Sequence, residues 1–370
     1  MHHTIIEFIP SMSDGGAETL VKDYALLLTK AGHRVIVVTK YPPKNMANGK
    51  LLTENHIEVL PIFPAVTFVN QVKKKLFSWW YIPRRLKKLV KEVHPDVLHV
   101  HMDVLQYVKP ISKALKGVKL FYTCHSLPES FFSGARRVER DAADYLIEHN
   151  QLRLIALHHD MAKELNEMFS VDDAVVIRNG VDFDRFRNVP ETKTEIRRGV
   201  GIPKSAFVLG HVGRFSEEKN HLFLIDVFAE VCKRESNAFL LLVGSGALRR
   251  EVEDKLNAMG LSGRYLILEH RTDIPQLLKA MDVFVFPSRF EGLSVTLVEA
   301  QAAGKRCIVS DRVNEESLLS ERTVTMSIED IPQHWADAIL DESIMGVAHG
   351  NLDDFDMNQE IRRLEGLYFG

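Results

Sequence analysis

Two glutamates stand eight residues apart in the stretch SRFEGLSVTLVEAQAAG, residues 288–304. Glu291 precedes a small turn, whereas Glu299 belongs to an apolar pattern with helical spacing. If both were helical, Glu299 would lie about 80° round from Glu291 and about 12 Å further along. The sequence therefore predicts that the two carboxylates hold different parts of one extended ligand and do not act as a pair on one bond.

The residues between the two carboxylates, Gly292, Leu293 and Ser294, stand where the predicted helix begins. Backbone N–H groups at the start of a helix suit an anion. A carboxylate, an anion cradle and a second carboxylate fit a sugar, a diphosphate and a ribose in line. The structural alternative is that Glu291 is a partner of the helix dipole and Glu299 lies on a solvated face.

Two cations follow an apolar run in LGHVGRFSEEKNHLFL, where Gly213 is followed by Arg214 and Lys219. A glycine turn, a guanidinium and an ammonium group ahead of a helix are what a diphosphate needs. The alternative is that the two cations form exposed ion pairs with Glu217 and Glu218.

Glycine turns follow two further apolar runs. Gly15 and Gly16 stand ahead of a helical pattern, where a close backbone suits a phosphate or a sugar hydroxyl, unless the turn is plain and Asp14 only caps the helix. Gly244 opens GSGALR, in which Arg249 replaces the third glycine of a dinucleotide fingerprint. A glycine turn lining a ligand cleft is therefore predicted there, and NAD is not.

Histidines end two predicted strands, as His99 and His101 in DVLHVH and as His125 in LFYTCHS. The HxH spacing is typical of some metal sites, but no third ligand follows at an ordinary spacing, so no metal is expected. A hydrogen-bonded structural histidine is the alternative for each. The strand ends nevertheless favour a ligand role for His101 and His125, because ligands of open α/β sheets bind there.

Short apolar, β-branched runs alternate with helical stretches in both halves of the chain. This alternation predicts parallel βαβ units, and therefore an α/β protein with two doubly wound Rossmann-like domains. Gly180, Pro190 and Pro203 punctuate the boundary, and residues 179–187 have no clear period and are predicted to form the hinge. The predicted domains are residues 1–180 and 181–350.

The composition is typical of a globular protein, with 370 residues, 45% hydrophobic and 26% charged. The chain has no apolar run long enough to span a bilayer and no signal-peptide pattern at its start. Its three cysteines are widely spaced, which indicates a reducing compartment and neither disulfides nor a zinc site. We therefore expect a cytoplasmic protein.

Residues 71–93 combine eight basic residues with Phe77, Trp79, Trp80 and Tyr81, and no acidic residue stands between Lys73 and Lys91. Basic and aromatic residues together suit an anionic membrane surface. The alternative is a solvated amphipathic helix with its aromatic residues in the core, and Pro83 predicts that it is not one uninterrupted helix. Nucleic acid is not expected, because no nucleic-acid-binding module accompanies the segment.

With these residues in place, the sequence resembles the retaining glycosyltransferases of family 4. The resemblance covers nearly the whole chain and rests on motifs in family order: DGGAE, DVLHVH, IRNGVDFDRF, GRFSEEKN, VGSG and FEGLSVTLVEAQAAG. It implies the GT-B fold, with two Rossmann-like domains facing a central cleft. It also implies that residues 351–370 form a last helix that crosses back to the first domain, and that no metal or other cofactor is needed.

The resemblance also implies roles for the candidate residues. The expected catalytic residues are Glu291, His125, Arg214 and Lys219. The expected donor-binding residues are Gly16, Gly213, Arg214, Lys219, Gly244, Arg271, Glu291, Gly292, Leu293, Ser294 and Glu299. The expected acceptor-binding residues are Gly15 and His101. Departures from the family pattern are Ser294, which replaces a proline, and Glu269, which replaces a glycine before the nucleotide-base loop.

The motif wording is similar to that of bacterial capsule and exopolysaccharide enzymes. A UDP-sugar is the expected donor, and a lipid-linked saccharide at the inner face of a bacterial membrane is the expected acceptor. The alternatives are another GT-B enzyme, such as a UDP-sugar 2-epimerase or a glycan phosphorylase, and a non-catalytic protein that binds nucleotide sugars. The intact set of Glu291, Glu299, Arg214 and Lys219 disfavours the non-catalytic alternative.

Overall fold

The computed structural model describes residues 2–13, 15–42, 47–63, 68–291 and 293–370, with secondary structure alone for residues 47 and 68–77. The described chain divides into two compact units. The first unit contains residues 1–179 together with 360–370, and the second contains residues 180–359.

Each unit is built around a parallel sheet. The first unit contains β1 Thr4–Ile9, β2 Arg34–Thr39, β3 Glu58–Pro61, β4 Val97–His101, β5 Lys119–Thr123, β6 Arg153–Ala156 and β7 Val175–Val176. The second unit contains β8 Phe207–Val212, β9 Ala238–Val243, β10 Tyr265–Leu268, β11 Val283–Phe286, β12 Arg306–Ser310 and β13 Thr323–Met326.

Helices connect the strands, as parallel pairing requires. The first unit contains α1 Gly16–Lys30, α2 Ala47–Glu54, α3 Phe68–Val93, α4 Leu105–Val108, α5 Pro128–Phe131, α6 Arg137–Asn150 and α7 His159–Phe169. The second unit contains α8 Phe183–Arg187, α9 Lys193–Val200, α10 His221–Arg234, α11 Arg249–Ala258, α12 Ile274–Ala280, α13 Val295–Ala302 and α14 Pro332–Leu340. The last helix is α15 Met357–Phe369, most of which belongs to the first unit.

The two sheets share one topology. Their strand orders are β3-β2-β1-β4-β5-β6-β7 and β10-β9-β8-β11-β12-β13. The order reverses beside the first strand of each unit, between β1 and β4 and between β8 and β11. In doubly wound sheets, ligands bind outside the carboxyl ends of the strands at this reversal. The loops that follow these four strands are therefore the places where a ligand site is expected.

The sheet of the second unit lies between two apolar layers. Consecutive residues of β8 face opposite sides, so that Val208 joins one buried cluster and Leu209 the other. This arrangement explains why the strands are continuously apolar, because each face is covered by helices.

Three details differ from the sequence-based expectations. The predicted hinge is partly a helix, since Asp182 caps α8 through the backbone N–H of Arg185 and places Phe183 and Phe186 in the core. The strand β13 was not predicted, because TVTM is short and only weakly apolar.

The helix α3 also differs, because it continues through Pro83. An interior proline removes one hydrogen bond and crowds the carbonyl four residues before it, but the burial of Ile82, Leu86 and Val90 at four-residue spacing offsets this cost. Trp79 is 70% exposed and Trp80 is 47% exposed, so the alternative that put these aromatic residues in the core is wrong for both. The side chains of residues 71–77 lie outside the described part.

Candidate active site

Lys219 and Glu291 form an ion pair at the sheet reversal of the second unit. Lys219 stands in the loop after β8, and Glu291 stands in the loop after β11, so the pair joins the two loops that flank the reversal. The Lys219 ammonium also lies 4.7 Å from the ring centroid of Phe286. Both side chains are largely buried, at 17% and 12% exposure, and the alternative surface pairs of Lys219 with Glu217 and Glu218 are not formed within the described chain.

Arg214 lies in the same loop as Lys219 and is exposed. Its guanidinium forms no hydrogen bond or ion pair with the residues that the structure describes. The backbone N–H of Arg289 donates to the carbonyl oxygen of Glu218 at 2.7 Å, which ties the two loops together. The second unit thus offers a guanidinium that has no described partner next to a paired ammonium.

The glycines of this region are needed for close packing of two loops. A Cβ on Gly244, whose φ is 145°, would lie 2.0 Å from the carbonyl oxygen of Gly213. A Cβ on Gly246 would lie 2.4 Å from the carbonyl oxygen of Phe215, and one on Gly213 would lie 2.8 Å from Nε2 of His211. The expected ligand role of Gly244 therefore has a packing explanation beside it.

The turn between the two glutamates is only partly the expected anion cradle. Ser294 is the N-cap residue of α13, but its N–H donates to Oγ of Ser317 at 3.3 Å and its side chain is buried. The N–H of Ser294 therefore has a partner within the protein, and the donor-binding role of Ser294 stays a prediction. Leu293 packs against the apolar core and Glu299 is half-buried on α13, while Gly292 lies outside the described residues.

The expected nucleotide-base loop is held by its own ion pairs. Arg271 makes two hydrogen bonds with the carboxylate of Asp273, at 2.7 and 2.5 Å, which raises the pKa of the guanidinium and lowers the pKa of Asp273. Glu269 pairs with Arg249 at 2.7 Å. Glu269, which departs from the family pattern, and Arg249, which departs from the dinucleotide fingerprint, therefore neutralise each other. A ligand would have to share the Arg271 guanidinium with Asp273.

Two buried histidines lie beneath the Gly213 loop and were not singled out from the sequence. Nδ1 of His211 lies 2.9 Å from the carbonyl oxygen of Val285, whereas its Nε2 has no partner among the described residues. Neither ring nitrogen of His221 has one, and its ring stacks on Phe215. Burial lowers the pKa of both, that of His221 to about 4, so both imidazoles are neutral at pH 7.

In the first unit, Gly15 and Gly16 stand where predicted, with Gly16 as the first residue of α1 and Gly15 as its N-cap. A Cβ on Gly16 would meet nothing within 4 Å, whereas one on Gly15 would lie 2.4 Å from Oε2 of Glu18. Oγ of Ser13 donates to this buried carboxylate. Gly16 therefore has open space beside it, and Asp14, the alternative cap, lies outside the described residues.

The histidines of β4 do not reach a ligand. His101 is fully buried, with Nε2 2.7 Å from Oε2 of Glu7 and Nδ1 3.0 Å from Nε2 of His125. The expected contact between His101 and an acceptor is therefore wrong, because both ring nitrogens are taken by protein groups. His125 stands after the end of β5 and is half-buried, so it remains accessible.

Glu7 is the residue that the sequence analysis missed in this cluster. It lies on β1 opposite His99 of β4, and the two are fully buried. A lone glutamate inside the apolar run TIIEFI was the signal that could have found it. Burial raises the pKa of Glu7 to about 8, and burial lowers that of His101 to about 3.

Glu7, His99 and His101 lie close enough to share a metal ion, although the sequence showed no third ligand. Each imidazole nitrogen is however already hydrogen-bonded. Nδ1 of His99 lies 2.6 Å from the hydroxyl of Tyr368, and Nε2 lies 2.7 Å from Oγ1 of Thr123. A hydrogen-bonded network explains these groups without a metal ligand role.

The fold is that of the GT-B proteins, and solved structures of this class superpose on the whole chain. The Anabaena protein HepE, solved in complex with UDP-glucose, matches with a TM-score of 0.75 and 22% identity, covering 99% of this chain and 100% of HepE. The two parallel, doubly wound sheets are therefore the GT-B architecture that the sequence predicted.

Two family profiles match the chain, "Glycosyltransferase Family 4" over residues 14–185 and "Glycosyl transferases group 1" over residues 206–341. EpsF of Bacillus subtilis strain 168, named as a glycosyltransferase, is 32% identical over 342 residues, which are 90% of this chain and 86% of EpsF. An Escherichia coli protein named UDP-Gal:alpha-D-GlcNAc-diphosphoundecaprenol alpha-1,3-galactosyltransferase is 34% identical over 242 residues, 61% of this chain and 60% of that protein. The chain belongs to glycosyltransferase family 4.

No helix within the described residues is both long enough and apolar enough to cross a bilayer.

Proposed function

We propose that this chain is a retaining glycosyltransferase that moves a sugar from a UDP-sugar to a lipid-linked saccharide, in the synthesis of a cell-surface polysaccharide. The observation that carries the proposal is the Lys219–Glu291 pair beside the exposed Arg214, in loops at the sheet reversal of the second unit. The two cations, Arg214 and Lys219, suit a diphosphate. The carboxylate of Glu291 suits the hydroxyl groups of a sugar.

In this proposal Arg214 and Lys219 hold the donor diphosphate and stabilise the charge that grows on it as it leaves. The bond from the anomeric carbon to the phosphate oxygen breaks, and the bond to the acceptor oxygen forms on the same face. The proton of the acceptor hydroxyl passes to the leaving phosphate oxygen. Glu291 holds the donor sugar and Glu299 holds the ribose hydroxyls, so no metal ion is needed for the transfer.

The relatives support the donor and acceptor classes. HepE is described in complex with UDP-glucose, and the Escherichia coli relative is named for a UDP-sugar donor and a diphosphoundecaprenol-linked acceptor. A lipid-linked acceptor requires the enzyme to work at a membrane surface, and in this proposal that surface is the cytoplasmic face.

The exposed aromatic residues of α3 support this membrane contact. Trp79 and Trp80 are exposed, and the guanidinium of Arg84 lies 3.5 Å from the ring centroid of Trp80. Indole rings beside basic side chains suit the headgroup region of an anionic bilayer. Ile82, Leu86 and Val90, which follow the two tryptophans along α3, are buried and hold the helix on the unit.

The donor is tested with UDP-, GDP- and ADP-sugars, by calorimetric binding and by slow hydrolysis, with the anomer of the released sugar read by NMR. We expect a UDP-sugar to bind, to be hydrolysed with retention, and to be hydrolysed equally in excess EDTA. Arg214→Ala should weaken binding, whereas Arg250→Ala, an arginine that is 94% exposed in the same unit, should not.

Each other outcome selects an alternative. Binding without hydrolysis or transfer would favour the non-catalytic protein, and conversion of the donor into its 2-epimer would favour the epimerase. If no nucleotide sugar bound, the donor assignment would fail.

The membrane contact is tested with vesicles of phosphatidylcholine alone and of phosphatidylcholine with phosphatidylglycerol. The double variant Trp79→Ala/Trp80→Ala should bind the anionic vesicles less than the unchanged chain does. Val347→Ala, which removes another exposed apolar side chain (68% exposed), is the matched control and should bind normally. Equal binding by all three proteins would exclude a role for α3.

A further inference from the structure

Glu7, His101 and His125 form a chain of hydrogen bonds that begins in the core of the first unit and ends at a half-buried ring. Oε2 of Glu7 lies 2.7 Å from Nε2 of His101, whose Nδ1 lies 3.0 Å from Nε2 of His125. Glu7 and His101 are fully buried, so they have no contact with solvent of their own. Nδ1 of His125 makes no hydrogen bond with the residues that the structure describes.

The strand geometry explains this line of groups. His99 and His101 are two residues apart on β4, and successive alternate residues of a strand share one face. His101 is paired with Thr123 of β5, so the face that carries His101 continues beyond the strand end at His125. Glu7 lies on the neighbouring strand β1, opposite His99. Three adjacent strands, β1, β4 and β5, therefore bring these side chains together along one face of the sheet.

The hydroxyl of Tyr368 donates to Oε1 of Glu7, so the proton of a neutral Glu7 resides on Oε2, and two arrangements then keep both histidines neutral. If Glu7 is protonated, its O–H donates to Nε2 of His101, and Nδ1–H of His101 donates to Nε2 of His125. His125 then carries its proton on Nδ1. If the chain has lost one proton, the carboxylate of Glu7 accepts from Nε2–H of His101, and the bare Nδ1 of His101 accepts from Nε2–H of His125. Nδ1 of His125 is then unprotonated and can only accept a hydrogen bond.

The surroundings of Glu7 favour the first arrangement. The groups that face it from the elements packed around it are His99 and His101 of β4, Tyr368 of α15 and Tyr24 of α1. All four are neutral at pH 7, since burial lowers the pKa of both histidines and raises that of both tyrosines. A carboxylate here would be a buried charge without a cation, which is expensive.

The hydrogen bonds donate towards His125 whether the shared proton resides on Glu7 or on His101. If the proton moved from Glu7 to Nε2 of His101, the imidazolium would still donate from Nδ1 to His125. As long as the hydrogen-bonded groups Glu7, His101 and His125 keep all their protons, His125 therefore carries a proton on Nδ1.

We propose that Glu7 and His101 are positioning residues that keep the proton of His125 on Nδ1, so that His125 meets a ligand oxygen as a hydrogen-bond donor. The ligand class is an oxygen acceptor such as a sugar hydroxyl, and this part rests on the proposed glycosyltransferase function. When the chain loses its proton, that proton leaves from Nδ1 of His125, the proton of His101 moves from Nδ1 to Nε2 of His125, and the proton of Glu7 moves to Nε2 of His101. His125 is then a hydrogen-bond acceptor.

The test is the tautomer of His125 in the full chain labelled with 15N-histidine, read by two-bond proton–nitrogen correlation from pH 6 to 9.5. A His125→Asn sample assigns the signals. At pH 7 we expect the Nδ1–H tautomer, changing to Nε2–H as the pH rises past about 8, where the pKa of Glu7 lies. Glu7→Gln, whose amide has no titratable proton, should abolish the change of tautomer near pH 8.

Glu139→Gln is the matched control, because Glu139 is a second fully buried glutamate of the first unit and bonds to Gln106 instead. In Glu139→Gln, the tautomer of His125 should change with pH as it does in the unchanged chain. An Nε2–H tautomer at pH 7 would overturn the proposal, and so would the same pH course in Glu7→Gln as in the unchanged chain. If Glu7→Gln did not fold, the pH course of the unchanged chain would still decide.

The kinetic arm separates this inference from the proposed function. With a UDP-sugar, hydrolysis by the unchanged chain should fall above pH 8, and Glu7→Gln should hold its rate there. The expected tautomers without turnover of any nucleotide sugar would refute the proposed function alone. Turnover together with the wrong tautomer would refute the proton chain alone.

Discussion

The two units have sheets of the same topology, but the buried imidazoles near the sheet reversal are hydrogen-bonded differently in the two. In the first unit, both ring nitrogens of His99 and of His101 have hydrogen-bond partners. In the second unit, Nε2 of His211 and both nitrogens of His221 have none among the described residues. The cation and carboxylate of the second unit, Lys219 and Glu291, instead pair directly with each other.

This difference indicates two kinds of site. The centre of the first unit is neutral and controls where protons reside, whereas the centre of the second unit is charged and suits an anion. The second unit also depends on close contact between its glycine loops, while Gly16 of the first unit has open space beside it. The following experiments can break or sharpen this comparison, beginning with the largest expected effect.

Lys219→Ala should reduce donor turnover by about 10²–10³-fold, because it removes a preorganised positive charge from the leaving group. The measurement is kcat and KM for UDP-sugar hydrolysis. Lys204→Ala removes an exposed lysine of the same unit and should leave both constants unchanged. Normal turnover in Lys219→Ala would show that the second unit does not act through this charge.

Gly244→Ala should lower the free energy of unfolding by about 3 kcal/mol, because the new Cβ meets the Gly213 carbonyl oxygen and φ is positive. Gly260→Ala, where φ is 71° with nothing within 4 Å, should lose only about 1 kcal/mol from backbone strain. Both values come from denaturant unfolding.

Gly16→Ala extends this comparison to the first unit. It should leave stability nearly unchanged and yet weaken donor binding. A large loss of stability in Gly16→Ala would show that the two glycine turns do not differ in the way described.

Glu7→Gln should change how stability depends on pH. The pKa of Glu7 is raised to about 8 in the native state, so between pH 4.5 and 8 the native state holds a proton that the unfolded chain has lost. Unfolding then releases a proton, and rising pH favours unfolding by up to about 1.4 kcal/mol per pH unit.

The comparison with Glu7→Gln between pH 6.5 and 8 isolates this effect, because the two proteins contain the same histidines. We expect the unchanged chain to lose stability relative to Glu7→Gln across this window, as measured by urea unfolding. Parallel curves for the two proteins would show that Glu7 is ionised in the native state.

Replacing one buried histidine in each unit should give unequal effects on stability. His99→Phe should cost about 1–3 kcal/mol, because it leaves Thr123 and the hydroxyl of Tyr368 without their partner. His221→Phe should be nearly neutral at pH 7, because its ring nitrogens have no described partner to lose.

The effect of His221→Phe on stability should appear at acidic pH. Burial keeps the pKa of His221 at about 4, so the unfolded chain binds a proton that the native state does not below pH 6.5. The unchanged chain should therefore lose stability as the pH falls from 6.5 to 4, and His221→Phe should lose less. An equal loss in both proteins would contradict the neutral, buried state of His221.

The sequence by itself determined the fold and the positions of the candidate loops. Continuous apolar runs between helical stretches require strands that are covered on both faces, and the glycine and charged residues after these runs mark the ligand end of the sheets. Local spacing carries this information, and the separation of Glu291 and Glu299 along the chain was enough to argue against an acid–base pair.

Only the tertiary structure decided which partners these residues have. Glu7 meets His101 across 94 positions of sequence, and Lys219 meets Glu291 across 72. Neither the burial of His101 nor the continuation of α3 through Pro83 is encoded in local spacing, because both depend on what packs against the element. Hydrogen-bond partners, and with them the protonation of buried groups, are set by neighbouring strands and helices, and a one-dimensional pattern does not specify those contacts.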